Sequence, residues 1–382
     1  MNAPAAIIDF EQHEQLLLTG ATGFLGGSVT AQLIANGRSA NLCFLVRADN
    51  PGQGLERLRA NLRQHGVAER NCLALRDEQI ICGDFLDTAW LAEATPRLMQ
   101  IDRVINCAAV ASFSKNPNIW PVNVEGTYAF AEVMSRSSRL KRFLHVGTAM
   151  SCGPARQSPI SESWEFPAAE QQLVDYTASK AEIERRMRVQ LPQLPLVVAR
   201  PSIVVGHRTL GCQASASIFW VFRMGFALES FTCELDEQID VIPVDYCAEA
   251  LIGLTLKPRL EHNLYHISAG HQAACTFGEI DRAFAFANGA QPVGERYRKV
   301  DVDDLKTLAQ DFEARIGPAN PRLVLRALRL YSGFADLNYL FDNSRLLEEG
   351  IAMPPRFTDY LDVCVKSSRG VSIATQMQWD FK

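Results

Sequence analysis

Through the first 205 residues, short apolar runs alternate with segments whose apolar positions recur at the helical period. The runs 16–18, 42–46, 79–82, 103–106, 142–146 and 196–199 read as strands, and the stretches between them read as helices. Such alternation predicts an α/β fold, a doubly wound parallel sheet wrapped by helices on both faces. In a sheet of that kind ligands bind outside the carboxyl ends of the strands. Residues 206–240 and 257–382 fall outside the alternation.

The first strand is followed by Thr19-Gly20-Ala21-Thr22-Gly23-Phe24-Leu25-Gly26-Gly27 and then by a helix-like run from Ser28. The spacing Gly-x-x-Gly-x-x-Gly between a strand and a helix suits a pyrophosphate. The glycines allow a tight turn and close approach, and the free N–H groups and helix dipole favour the charge. A second segment, Asp175-Tyr176-Thr177-Ala178-Ser179-Lys180, opens another helix-like run. Tyr176 and Lys180 are four apart and share one helix face. A phenol titrates near pH 10, and a neighbouring ammonium is expected to draw that value down. Other polar groups also fall at strand ends: Arg47 after the second, Asp84 after the third, Asn106 to Val110 after the fourth, Thr148 after the fifth.

These two segments resemble the signatures of the short-chain dehydrogenase/reductase superfamily in its extended form. Val104-Ile105-Asn106-Cys107-Ala108-Ala109, Asn123-Val124-Glu125-Gly126-Thr127 and His145-Val146-Gly147-Thr148 are similar to further segments of that superfamily. Arg200-Pro201-Ser202-Ile203-Val204-Val205-Gly206 and Ile242-Pro243-Val244-Asp245-Tyr246 resemble one branch, the fatty acyl-CoA reductases and thioester reductase domains. The resemblance covers roughly residues 14–256. It implies a Rossmann-type core over 14–205, with 241–256 returning to it, after an N-terminal tail, 1–13. It also implies a smaller, mostly helical C-terminal substrate lobe from 206–240 and 257–382.

The resemblance implies catalytic roles for Tyr176, Lys180 and Thr148. Asn123 is either part of a proton relay or a helix cap. It implies that the cofactor is held by Gly20, Thr22, Gly23, Phe24, Leu25 and Gly26, by Cys107, Ala108 and Ala109, by Pro201, Ser202 and Ile203, and by Tyr176 and Lys180. Asp84 and Phe85 would hold the adenine. The residue after the second strand separates NAD from NADP, because an Arg there accommodates a 2′-phosphate. Arg47 occupies that position, with Arg57 as a helper, so NADPH is the expected cofactor. Asp49 reads as turn chemistry with Asn50-Pro51-Gly52.

Composition agrees with a globular enzyme: 382 residues, 47% hydrophobic, 21% charged, net charge −5. The acidic balance argues against a general nucleic-acid binder. Ten Cys without a Cys-x-x-Cys pair read as reduced thiols of a cytoplasmic protein, and the seven His show no metal-ligand spacing. His145, within an apolar strand, reads as a packed core residue. The N-terminus shows no signal-peptide pattern, and no apolar run is long enough to span a membrane.

Two stretches leave alternatives open. The aromatic run 217–226 either lines an apolar substrate channel or forms a core helix. Arg322, Arg326 and Arg329 share one helix face, which either meets a CoA phosphate or an acidic carrier protein, or is simply solvated. The expected activity is hydride transfer to the carbonyl of an acyl thioester, giving an aldehyde, and the sequence leaves open whether reduction stops there or a second hydride carries it to the alcohol. A carrier-bound acyl group would arrive in trans, and the superfamily resemblance implies a homodimer. The alternatives are an NADP-dependent aldehyde or ketone reductase or an alcohol or sterol dehydrogenase, a sugar-nucleotide epimerase or dehydratase, and a non-catalytic NADP sensor.

Overall fold

The computed structural model describes residues 14–154, 158–215 and 217–380. The expected tail, residues 1–13, lies outside them. Six strands form on the apolar runs: β1 (Leu16–Thr19), β2 (Leu42–Val46), β3 (Ile80–Cys82), β4 (Arg103–Asn106), β5 (Arg142–Val146) and β6 (Leu196–Pro201). All pair in parallel, in the spatial order β3-β2-β1-β4-β5-β6. The winding reverses between β1 and β4, so the crevice at their carboxyl ends is the topological switch point.

A seventh strand, Leu264–Ile267, extends the sheet beside β6, with Leu264 opposite Val198 and Ile267 opposite Pro201. Segment 257–382, expected to be wholly lobe, therefore gives one strand to the core. Leu-Tyr-His-Ile is too short and too polar to stand out as an apolar run. Distant carboxylates hold it in place. Glu162 Oε1 accepts from the His266 N–H at 2.7 Å. Asp240 accepts from the N–H groups of Ala269, Gly270 and Phe341 at 2.7, 3.2 and 3.1 Å.

Alternation along β1 separates two cores. Leu16 and Leu18 face one side of the sheet with α1 (Phe24–Ala35), α2 (Pro51–Gln64) and the helix Val244–Leu256. Leu17 faces the other side with Phe130, Phe143, Ile183 and Met187. Leu17 is fully buried, so Leu17→Ala would cost about 2–5 kcal/mol. The lobe packs around the helices Phe219–Leu228, Phe277–Asn288 and Pro321–Ala335. The second of these starts in a capping box, Thr276 Oγ1 accepting from the Glu279 N–H and Glu279 Oε2 from the Thr276 N–H. It ends at Gly289 with φ +63°.

Candidate active site

The glycine turn between β1 and α1 is built by contact. Gly20 has φ +70°, and a Cβ there would lie 2.8 Å from the Ala108 nitrogen. A Cβ on Gly26 would lie 2.2 Å from the Gly20 carbonyl oxygen. Gly23 caps α1 without a side chain, so the first N–H groups of the helix keep no side-chain acceptor at that position. Behind the turn, Thr19 Oγ1 donates to Asn106 Oδ1 at 2.5 Å and accepts from the Ala108 N–H at 3.0 Å. Asn106 Nδ2 meets His145 Nδ1 at 3.0 Å. Burial holds His145 well below its ordinary pKa, so the ring is neutral. It is a core residue, as its place in β5 suggests.

Asn123 lies in a π-helical turn, Pro121–Gly126. Its Oδ1 accepts from the Val110 N–H at 2.8 Å, and its Nδ2 donates to the Val110 carbonyl and to Ser179 Oγ, at 3.2 and 3.1 Å. Both ends of the amide therefore pin the loop after β4 to the helix Asp175–Gln190. The helix-cap alternative does not hold, because the side chain bonds across elements and not to its own helix start.

Thr148 follows β5 and accepts from the Met150 N–H at 3.3 Å, capping a short 3-10 turn. Tyr176 and Lys180 share one face of the helix Asp175–Gln190. Lys180 is buried, and its Nζ donates to the Val146 carbonyl at 2.7 Å. Burial pulls its pKa down to about 8, against the pull of Glu184. The expectation that this ammonium draws Tyr176 down is overturned: burial pushes the phenol up to about 12, and Glu184 adds to the rise.

One cavity of about 470 Å³ joins these groups. Gly20, Gly23, Phe24, Leu25 and Gly26 line one end, with Cys107, Ala109, Thr148, Tyr176, Lys180, Pro201, Ser202 and Ile203. From there it runs into an apolar chamber walled by Val221, Phe222, Phe226, Ile280, Phe284 and Phe334. The aromatic run does both things its sequence left open. Val221, Phe222, Gly225 and Phe226 face the cavity, whereas Trp220, Met224 and Leu228, on the opposite face, pack into the lobe core. Phe113 joins the two parts: its ring lies 5.7 Å from that of Tyr176, 5.7 Å from Tyr331 and 4.8 Å from Phe334.

The remaining expected residues stand outside this cavity. Arg47 and Arg57 are exposed at the carboxyl end of β2, where the Arg57 guanidinium donates to the Arg47 carbonyl. Asp84 follows β3 and its Oδ1 accepts from the Leu86 N–H at 3.0 Å. The Phe85 side chain turns away from the crevice to pack against Trp90 and Phe130, which leaves only its backbone for a ligand. Thr22 is half-buried in the turn, and the Ala108 N–H is taken by Thr19. Sequence reasoning missed a pair behind the cavity, Glu184 and Arg200, whose guanidinium donates twice to Glu184 Oε2 at 2.9 and 2.7 Å. Glu184 stands four residues after Lys180 and so falls on the Tyr176–Lys180 face; that spacing was the available signal.

The close-packed glycines, the uncapped helix start and the cationic strand end fit a nicotinamide dinucleotide.

A family model described as male sterility protein matches residues 18–251. The chain is 23% identical over 349 residues to probable fatty acyl-CoA reductase 5 of Arabidopsis thaliana, covering 72% of this chain and 70% of that protein. It is 28% identical over 258 residues to the isonitrile lipopeptide synthase of Streptomyces coeruleorubidus. That match covers 64% of this chain and 17% of the synthase. The crystal structure of the terminal R domain from the myxalamid PKS-NRPS biosynthetic pathway has a TM-score of 0.73 at 21% identity, over 93% of this chain and 90% of that one. At that identity the likeness is one of fold.

Proposed function

The chain belongs to the male sterility protein family, within the extended short-chain dehydrogenase/reductase superfamily, and on that premise we propose that it is an NADPH-dependent reductase of acyl thioesters. The observation that carries the reading is the continuity of the cavity. The Thr148, Tyr176 and Lys180 end opens directly into a chamber walled by Phe222, Phe226, Phe284 and Phe334. A reacting carbonyl at the first end puts its acyl chain in the second, where each buried methylene contributes about 0.8 kcal/mol.

The glycine turn and the start of α1 would hold the pyrophosphate. Arg47 and Arg57, exposed at the end of β2, would take the 2′-phosphate, which favours NADPH over NADH. Asp84 would meet the adenine amino group. When bound, NADPH supplies the hydride. Tyr176 donates its proton to the carbonyl oxygen and Thr148 donates a second hydrogen bond to it. Lys180, whose Nζ holds the Val146 carbonyl, would meet the nicotinamide ribose. Asn123 holds the loop after β4 in register with Tyr176. The first reduction gives a hemithioacetal, which collapses to an aldehyde and a free thiol.

The thiol end would be an anionic carrier, CoA or the phosphopantetheine arm of a carrier protein supplied in trans. Arg322, Arg326 and Arg329 support this: all three are exposed and meet no carboxylate among the described residues. They occupy the outer face of the helix whose Tyr331 and Phe334 line the cavity. No helix among the described residues is long and apolar enough to cross a membrane. We extend the reading to a cytoplasmic homodimer, which fractionation and sizing test.

The decisive experiment follows NADPH oxidation and thiol release together, with acyl-CoA thioesters beside the matching free aldehydes. Stoichiometric thiol release on thioesters is the expected result. Turnover of aldehydes alone would reduce the protein to a carbonyl reductase.

A further inference from the structure

The turn after β1 carries four glycines, and the pyrophosphate spacing uses three of them, Gly20, Gly23 and Gly26. Gly27 is left over. It is buried inside α1, where a glycine costs helix stability relative to alanine. A Cβ at Gly27 would lie 2.3 Å from Asn61 Nδ2 and 2.4 Å from His65 Nε2. Gly27 therefore clears space for the end of α2, and for the Asn61 amide in particular. Through that gap Asn61 Nδ2 donates to the Ala21 and Gly23 carbonyls, at 3.0 and 3.2 Å.

A turn that receives an anion has to present its N–H groups and keep its carbonyl oxygens back. A trans peptide unit is planar, with its C=O and N–H pointing opposite ways. Holding the Ala21 and Gly23 carbonyls toward α2 therefore turns the N–H groups of Thr22 and Phe24 away from α2. Gly23 and Phe24 line the cavity. We propose that Asn61 is a positioning residue for the cofactor. Its amide fixes two peptide units of the glycine turn in the orientation that receives a pyrophosphate, and Gly27 is the clearance it needs. This rests on the reading of that turn as the pyrophosphate site.

α2 is a stiff support for the role. Asn50 caps its start, its Oδ1 accepting from the Gln53 N–H at 3.0 Å, and Leu55, Leu58 and Leu62 anchor it in the core. His65, one turn after Asn61, stacks on Phe24 with the ring centroids 6.4 Å apart. Arg57, one turn before Asn61, donates to the Arg47 carbonyl. One helix thus reaches both phosphate positions, Arg57 on the side of the 2′-phosphate and Asn61 at the pyrophosphate. The two contacts differ in what they distinguish. Only NADPH carries a 2′-phosphate, whereas NADPH and NADH share the pyrophosphate.

The test is equilibrium binding to the full chain. NADPH and NADH are titrated by fluorescence, and adenosine 2′-monophosphate, which has no pyrophosphate, by calorimetry. Asn61→Ala should weaken NADPH and NADH alike, by about tenfold, the size of one or two lost hydrogen bonds. Adenosine 2′-monophosphate should bind within about twofold of wild type. Gly27→Ala, which displaces the amide and leaves Asn61 in place, should give the same pattern, and it carries the test if Asn61→Ala does not fold. The double variant Gly27→Ala/Asn61→Ala should bind no more weakly than either single one, because both changes remove the same contact. Unchanged dinucleotide binding in both single variants would overturn the proposal. So would a loss confined to NADPH, which would place Asn61 on the 2′-phosphate side. An equal loss on adenosine 2′-monophosphate, or additive losses in the double variant, would reduce Asn61 to general support of the fold and overturn it too. A wild type that binds neither dinucleotide would overturn the cofactor reading, and this proposal with it. Because binding needs no acyl substrate, a failure to reduce thioesters would leave the result standing.

Discussion

The two ends of the cavity are made of different material. At the Tyr176 end, Tyr176 and Lys180 come from the helix Asp175–Gln190, and they face a lining from strand ends and the backbone that leaves them: Gly20 after β1, Cys107 after β4, Thr148 after β5, Pro201 closing β6. Their relative positions are set by the sheet register, so none moves unless a strand slides. At the other end the lining is side chains from three lobe helices, held by ring contacts such as Phe219 on Phe284 at 5.5 Å and Phe226 on Phe284 at 5.6 Å. On the proposed reading, the chemistry sits on groups whose positions the sheet fixes, and substrate choice sits on side-chain packing. Changes at the first end should therefore abolish rate or cofactor binding for every substrate, and changes at the second should redistribute rate among substrates.

The sharpest way to break that contrast is Tyr176→Phe. It removes the proposed proton donor and leaves the ring, its contact with Phe113 and the helix intact. Turnover should fall about 10³-fold on every substrate, in the range of a lost general acid. NADPH affinity, read by fluorescence titration, should stay within a few-fold. Turnover within tenfold of wild type would remove Tyr176 from the chemistry.

Arg47→Ala is the next largest effect and is confined to the cofactor. A charge-assisted contact with a phosphate is worth about 2 kcal/mol, so KM for NADPH should rise about 30-fold while KM for NADH barely moves. Equal changes for both cofactors would mean that Arg47 does not meet the 2′-phosphate, and would leave cofactor choice to another residue.

The same contrast explains what the sequence made legible. Six strands were readable because buried parallel strands are short continuous apolar runs, as in Leu42-Cys43-Phe44-Leu45-Val46, and the glycine turn and the Tyr176–Lys180 spacing sit at their ends. The seventh strand was not, because Tyr265 and His266 interrupt its apolar character and its place depends on Glu162, 104 residues away. The chamber was legible only at the aromatic run. Its other walls, Phe113, Ile280, Phe284 and Phe334, come from across more than 200 residues of sequence, and nothing local marks them as neighbours. Phe85 stands after β3 as expected, and its ring packs into the core on Trp90 and Phe130, which nothing in the local sequence marks. Glu184 was passed over because a glutamate in a charged helix reads as solvent-facing, and only the packing of β6 against that helix shows it to be buried with Arg200.

Phe226→Trp is the finest probe, because it changes the chamber and leaves the strand ends alone. Phe226 is half-buried, lines the cavity and stacks on Phe284, so a larger ring there fills space before it meets the core. A substitution that displaces two methylenes of the acyl chain removes about 1.6 kcal/mol of burial, or about 15-fold in kcat/KM. The loss should fall on the longest acyl-CoA thioesters and fade as the chain shortens, until short thioesters react within two- to three-fold of wild type. Phe226→Ala should tilt the series the other way. A loss of the same size at every chain length would mean that the ring acts on Tyr176 through Phe113 and not on the substrate. In that case the two ends of the cavity would be coupled, and the division between sheet-positioned chemistry and side-chain-built selectivity would not hold for this protein.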